Sequence, residues 1–216
     1  MKRIVVGIDL SSASTPALAQ ATTLAQTHGA RLYIVHATGL TEGSQAAHDE
    51  AVRTAAPFRR FTEERIERAH QLLDAASQVA ARAGIDVEQI LCDGFAEATI
   101  VSRAHKVNAD LIVVGTHGRV GSERWLLGSV AEQVVRLSER NVWVAREPTP
   151  PLGRPSRVLV ATDFSETAER GIDTARRLAA ADAKIHIVHC WQPQDSYGVP
   201  PPTDLVTRWR LRAQEE

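Results

Sequence analysis

Short apolar runs rich in β-branched residues alternate along the chain with longer stretches whose apolar positions return every three or four residues. The runs are RIVVGID (3–9), RLYIVHA (31–37), DVEQILC (86–92), DLIVVG (110–115) and NVWVAR (141–146). Their length and mostly unbroken hydrophobicity predict strands of a parallel sheet buried on both faces. After the first run, Ala17, Leu18, Ala21, Leu24 and Ala25 keep helical spacing, with Pro16 early and Gly29 as a stop. Residues 38–58 hold glycines, polar residues and Pro57, and read as a long loop with room for some helix. Ile66, Ala69, Leu73, Ala76 and Ala80 mark one face of an amphipathic helix over 61–83. Further helices are predicted over 96–107 and 129–138. Strand and helix thus alternate up to a fifth strand. That order predicts an α/β fold, an open doubly wound five-stranded parallel sheet with helices on both faces.

The alternation breaks at EPTPPLGRP (147–155), where four prolines and a glycine fall in nine residues. Such a segment is a stiff linker and a boundary. The pattern then restarts. RVLVATDFSETAERGIDTARRLAAADAKIHIVHC (157–190) follows residues 3–36, with Arg157 on Arg3, Asp163 on Asp9, Ser165 on Ser11, and His189 on His36 after a one-residue gap. The predicted organisation is a full domain over 1–146, a linker over 147–156, and an incomplete second copy over 157–216. TDLVTRWRLRAQEE (203–216) would begin that copy's second helix.

Composition narrows the function classes. Of 216 residues 44% are apolar, enough for a buried core, and the net charge is -1. No basic face for nucleic acid follows from that balance. The one arginine cluster, Arg59, Arg60, Arg65 and Arg68, alternates with glutamates and reads as a solvated helix face. Cys92 and Cys190 have no metal-ligand spacing and read as reduced, buried thiols. Asp9 interrupts the apolar N-terminal run, and no stretch approaches the roughly 20 apolar residues of a membrane span. A cytoplasmic protein without a membrane segment is expected.

The candidate chemistry lies in GTHGRVGSERWLLGS (115–129), which spaces Gly115, Gly118, Gly128 and Ser129 as G-x2-G-x9-G-S. It is no P-loop, for the chain contains no Gly-Lys pair. The GxGxxG fingerprint is absent as well. What the spacing offers is a glycine turn after a strand, a nine-residue excursion, and Gly-Ser at a helix start. Glycines let a backbone approach a ligand. Free N–H groups at a helix N-terminus, with the serine hydroxyl, suit phosphate oxygens. In doubly wound sheets this place, at the carboxyl ends of the strands where strand order reverses, is where ligands bind.

The motif, the first strand ending in Asp-x-Ser, and the IVH ending of the second strand resemble the universal stress protein family. The resemblance covers 1–146 fully and 157–191 as the start of a second copy. It implies a Rossmann-like sheet, similar to adenine nucleotide α-hydrolases, in strand order 3-2-1-4-5. It further implies ATP as ligand, with Mg or Mn accompanying the triphosphate. Asp9 would stand near the adenosine, the backbone of Ala37 would meet the adenine edge, and Gly115 would face the ribose. Gly118, Arg119, Gly128, Ser129 and Val130 would line the phosphates, with His117 as a further candidate contact. No metal-ligating side chain is singled out.

Plainer readings stand beside these. Asp9 also suits a cap of the first helix. His36 and His189, at strand ends in both copies, suit structural bonds to backbone. His117 suits a solvent-facing turn, and Trp125 suits packing of the nine-residue excursion. Near the motif only Glu123 and His117 could serve as a base, and neither sits in a catalytic constellation. The favoured function is an ATP-binding regulator in the stress response with at most slow hydrolysis. The alternatives are an adenine nucleotide α-hydrolase-like enzyme and a non-binding interaction module. A homodimer through the edge strand 141–146 and an unidentified protein partner are expected.

Overall fold

The computed structural model describes residues 1–11, 14–39, 56–116, 128–146 and 154–190. It divides into two units, Met1–Gly153 and Arg154–Glu216.

In the first unit the elements run β1 (Arg3–Gly7), α1 (Thr15–His28), β2 (Arg31–Ala37), α2 (Ala56–Arg82), β3 (Val87–Cys92), α3 (Ala96–Lys106), β4 (Leu111–Gly115), α4 (Ser129–Leu137) and β5 (Asn141–Ala145). The five strands form one parallel sheet in the order β3-β2-β1-β4-β5, as expected. Alternate side chains serve opposite faces. Val5, Tyr33, Val35, Ile112 and Val114 pack with Ile100 and Ala104 of α3 and with Ala131 and Val134 of α4. Ile4, Val6, Leu32, Ile34, Leu111 and Val113, all buried, are the alternate set and turn to the other face. There α1 lies along β1 and β4, with Ala17, Ala21, Leu24 and Ala25 buried. Each large side chain so buried stabilises the fold by about 1.5–3 kcal/mol. Double-sided burial is why these strands read as unbroken apolar runs.

Two glycines are set by geometry. Gly29, at φ 60°, ends α1 in a left-handed cap, and the Ala30 N–H donates to the Ala25 carbonyl at 2.9 Å. At Gly7 a Cβ would collide with Ile100 Cδ1 and stand 3.0 Å from Ile100 Cγ1. Gly7 therefore lets α3 lie close to β1.

One boundary differs from expectation. α2 starts at Ala56, not at residue 61. Pro57 falls in its first turn, where an N–H has no helical partner to lose, so proline opens this helix rather than marking loop. The remainder of the expected loop, 40–55, lies outside the described residues, as does the proline-rich stretch 147–153.

The second unit contains β6 (Arg157–Ala161), α5 (Glu166–Leu178) and β7 (Lys184–Val188). β6 and β7 form a two-stranded parallel sheet, and its register, Arg157 opposite Lys184 through Ala161 opposite Val188, repeats that of β1 on β2. Exposure does not repeat. Leu159 is 70% exposed where its counterpart Val5 is fully buried. This sheet is small and partial. Cys190, just past the mostly exposed β7, is exposed rather than buried as expected, while Cys92 at the end of β3 is only half-buried.

Candidate functional site

The site is built from the carboxyl ends of β1, β2 and β4. Past β1, the Ile8 N–H still donates to the Val35 carbonyl at 3.0 Å. The chain then turns sharply. Asp9 Oδ1 accepts from the Ser11 N–H at 3.0 Å and from the Ser11 hydroxyl at 2.6 Å. Leu10 between them has φ 61°. A left-handed leucine costs about 1 kcal/mol or more, and the Asp9 turn helps to hold it there. Asp9 does not cap α1, whose N-cap is Ser14. Its carboxylate belongs to the turn at the strand end.

The second unit carries the same turn. Asp163 Oδ1 accepts from the Ser165 N–H at 3.0 Å, and Phe164 has φ 64°. Hydrogen bonds from the Ser165 hydroxyl and N–H hold the Asp163 carboxyl below its usual pKa. The histidines are structural in both units. Nδ1 of His36 donates to the Ile8 carbonyl at 2.9 Å, and Nδ1 of His189 donates to the Thr162 carbonyl at 2.7 Å. A carbonyl only accepts, so each bond places a proton on Nδ1.

On the β4 side, Gly115 is the last strand residue. The Thr116 N–H donates to the Ala145 carbonyl at 3.0 Å, and the Gly128 N–H donates to the Thr116 carbonyl at 2.7 Å. This second bond corrects the expectation of a free Gly128 N–H, because the donor is spent on tying the start of α4 to the end of β4. Gly128 is the N-cap and, as a glycine, has no side chain with which to cap the helix. The first helical bond runs from the Glu132 N–H to the Gly128 carbonyl at 2.9 Å. The N–H groups of Ser129, Val130 and Ala131 precede it and have no partner within the helix. Ser129 and Val130 are exposed.

β1 and β4 are hydrogen-bonded neighbours and β2 flanks β1 on its other side. Asp9, Ala37, Gly115, Gly128, Ser129 and Val130 therefore gather at one edge of the sheet, on strands about 4.8 Å apart. His117, Gly118 and Arg119 lie outside the described residues, as do Glu123 and Trp125. Among the described residues no group of three or more His, Cys, Asp or Glu could hold a metal ion.

The sequence reading missed one feature. A cavity of about 300 Å³ opens at the end of β2, walled by Leu10, His36 and Thr38 on one side and by Arg65, Arg68, Ala69 and Leu72 of α2 on the other. Arg65 Nη2 donates to the Thr38 carbonyl at 3.1 Å. The Thr38 N–H donates to the Cys92 carbonyl at 2.8 Å, and its hydroxyl donates to Asp93. Both arginines are exposed, as expected of a solvated helix face, and they also border the cavity. Their spacing with Ala69 and Leu72 is i, i+3, i+4, i+7, the stripe that turns toward a neighbour.

Comparison with known proteins agrees with this architecture. A sequence model described as the universal stress protein family matches residues 1–146 and 155–216. A Staphylococcus aureus protein assigned to the universal stress proteins is 34% identical over 148 residues, 67% of this chain and 84% of its own. Universal stress protein UspA from Lactobacillus plantarum superposes with a TM-score of 0.60 at 24% identity, over 67% of this chain and 97% of that one. A universal stress protein from Archaeoglobus fulgidus superposes with a TM-score of 0.69 at 23% identity, over 99% of this chain and 74% of that one. At those identities the two structures speak for the fold alone, whereas the sequence match over both segments speaks for descent: the chain belongs to the universal stress protein family.

Proposed function

We propose that the first unit binds ATP across the ends of β2, β1 and β4, and that its nucleotide state regulates a partner in the stress response. The observation that carries this reading is the start of α4, whose glycine N-cap has no capping side chain. Three successive N–H groups, at Ser129, Val130 and Ala131, precede its first helical bond. They meet the sheet edge where β4 leaves the Asp9 turn of β1, at the reversal of strand order. Donors in that arrangement suit phosphate oxygens. Asp9 would then face the ribose and base, with Ala37 one strand further along. Gly115, on β4, would face the ribose, and His117, Gly118 and Arg119 would complete the phosphate side. Mg or Mn, held by the triphosphate itself, would balance its charge. Hydrolysis would be slow at most, since Glu132 in the first turn of α4 is paired with Arg136.

Unfolding with and without nucleotide tests the reading. ATP at 100 times its dissociation constant should add about 2.7 kcal/mol to the stability of the first unit. No change in unfolding with millimolar ATP and Mg would refute it. Product analysis addresses the chemistry: slow ADP release fits the regulator, whereas AMP with pyrophosphate would make the chain an enzyme.

The same reading includes a homodimer through residues 141–146. β5 is the edge of the sheet. The Ala145 carbonyl points to the β4 side, where it accepts from Thr116. Backbone groups alternate along a strand, so those of Val142 and Val144 point to the open edge. Their side chains pack inward against the α3 and α4 cluster, and the indole N–H of Trp143 donates to Gln20 of α1. An edge without lysine or proline is a template for another strand, and a two-fold pairing closes the assembly. Sedimentation of a monomer at tens of micromolar would exclude it.

A further inference from the structure

The cavity beside β2 gives the site a second anion-binding end. Arg65 and Arg68 stand one turn apart on the face of α2 that walls this cavity. Like charges at i, i+3 disfavour a helix unless something opposes them. Glu63, Glu64 and Glu67 line a groove together with Arg68, but two of them are engaged by other side chains. Glu64 pairs with Arg60, Glu67 accepts from Gln71, and Glu63 lies with both on the adjoining groove, which only Arg68 and Leu72 share with the cavity. Among the described residues neither Arg65 nor Arg68 forms an ion pair. Arg65 is fixed in place, with Nη2 on the Thr38 carbonyl at 3.1 Å and its guanidinium 5.5 Å from the Phe61 ring centroid. The apolar part of its lining comes from Leu10, Ala69 and Leu72.

These charges are not at the phosphate end. The α4 N-terminus follows β4, two strands from β2, which is about 10 Å at normal strand spacing. The cavity instead adjoins Ala37, since His36 and Thr38 on either side both line it. We propose that this site takes adenine nucleotides carrying a second phosphate on the ribose, at the 2′ or 3′ position, with Arg65 and Arg68 receiving it. The inference rests on the reading of the sheet edge as an adenine-nucleotide site. A nucleoside then spans two anion subsites, the helix start for its 5′ phosphates and the arginine pair for the other.

Calorimetric titration of the full chain with AMP, adenosine 2′,5′-bisphosphate, adenosine 3′,5′-bisphosphate and ATP tests it. At least one bisphosphate should bind tenfold or more tightly than AMP. Arg65→Gln and Arg68→Gln should each reduce that preference to within about threefold while leaving the AMP affinity in place, and Arg68→Lys should keep most of it. Glutamine is a good helix former, so α2 should persist, and circular dichroism checks this. If AMP and both bisphosphates bind alike, or if the preference survives both glutamine variants, the arginine subsite is refuted and the ATP reading stands. If no nucleotide binds, ATP included, both fall.

Discussion

Gly7→Ala is the most direct probe of how the sheet and its helices set the site. Gly7 ends β1, two residues before Asp9, and α3 packs over it. The added Cβ would collide with Ile100 Cδ1, stand 3.0 Å from its Cγ1, and lie 3.5 Å from Val114 Cγ1. Ile100 is buried in a cluster with Val5, Val35 and Ala104, so moving its end disturbs that packing. Overpacking of this kind costs about 1–3 kcal/mol, and the stiffer unfolded chain of alanine returns about 0.4–1 kcal/mol. A net destabilisation of about 1–2 kcal/mol follows, or roughly 5–30-fold in the folding equilibrium. Because the chain has two units, amide exchange of the slowest protons in β1, β2 and β4 is a better readout than a single unfolding curve. Those protons should exchange faster by the same factor. Ile100→Val removes Cδ1 at its own cost of about 0.5–1.5 kcal/mol, and in that background Gly7→Ala should cost less than half as much. An alanine variant as stable as the parent, or an equal cost in both backgrounds, would refute the steric argument.

Two further outcomes follow from hydrogen bonds in the first unit. Asp110 accepts from the N–H groups of Lys2 and Arg3 at 2.6 and 2.9 Å. Burial raises its pKa, but these bonds and nearby positive charge outweigh it and leave the carboxyl below its ordinary value of 3.8. A depressed carboxyl stabilises above that ordinary value, and the contribution fades as pH falls through the folded-state pKa. Asp110→Asn should therefore lose about 0.5–1 kcal/mol at pH 7, a value kept small by solvent screening. The difference should vanish in urea titrations at the acid end, and a difference that grows on acidification would reverse the assignment. His36→Phe leaves the Ile8 carbonyl without its donor and should cost about 1–3 kcal/mol, read by exchange of the β1 and β2 amides. A loss under about 0.5 kcal/mol would mean that the bond does not matter to the fold.

The sheet was legible because parallel strands buried on both faces leave unbroken apolar runs, as Ile4 to Val6 and Leu111 to Val114 do. Small residues at helical spacing betrayed α1 in the same way. The start of α2 was misplaced because Pro57 signals loop and first helical turn alike, and only the packing of the turn decides. Asp9 was ambiguous between a helix cap and a ligand contact, and its place in a strand-end turn excludes the cap. The geometry of Ser11 and the left-handed Leu10 decide it, and neither conformation is written in residue type. Gly128 looked like a donor to ligand, yet its N–H closes onto Thr116, a bond between residues twelve apart that no local pattern announces. Arg65 and Arg68 were hidden among glutamates, since charge alternation along a helix does not say which stripe meets a cavity.

The central claim is that phosphates rest on the start of α4, and one substitution isolates it. Proline at the first position of a helix is well tolerated, and Gly128 before it, at φ −63° and ψ 151°, already has the extended conformation that a following proline requires. Ser129→Pro thus deletes one N–H and the hydroxyl while leaving α4 intact. The measurement is the ATP dissociation constant, by calorimetry with Mg, of the parent chain and of Ser129→Pro at matched thermal stability. The account predicts binding by the parent and a loss of tenfold or more, about 1.4 kcal/mol, in the variant. Equal ATP affinity in the two proteins, or a parent chain that binds no ATP, would contradict it.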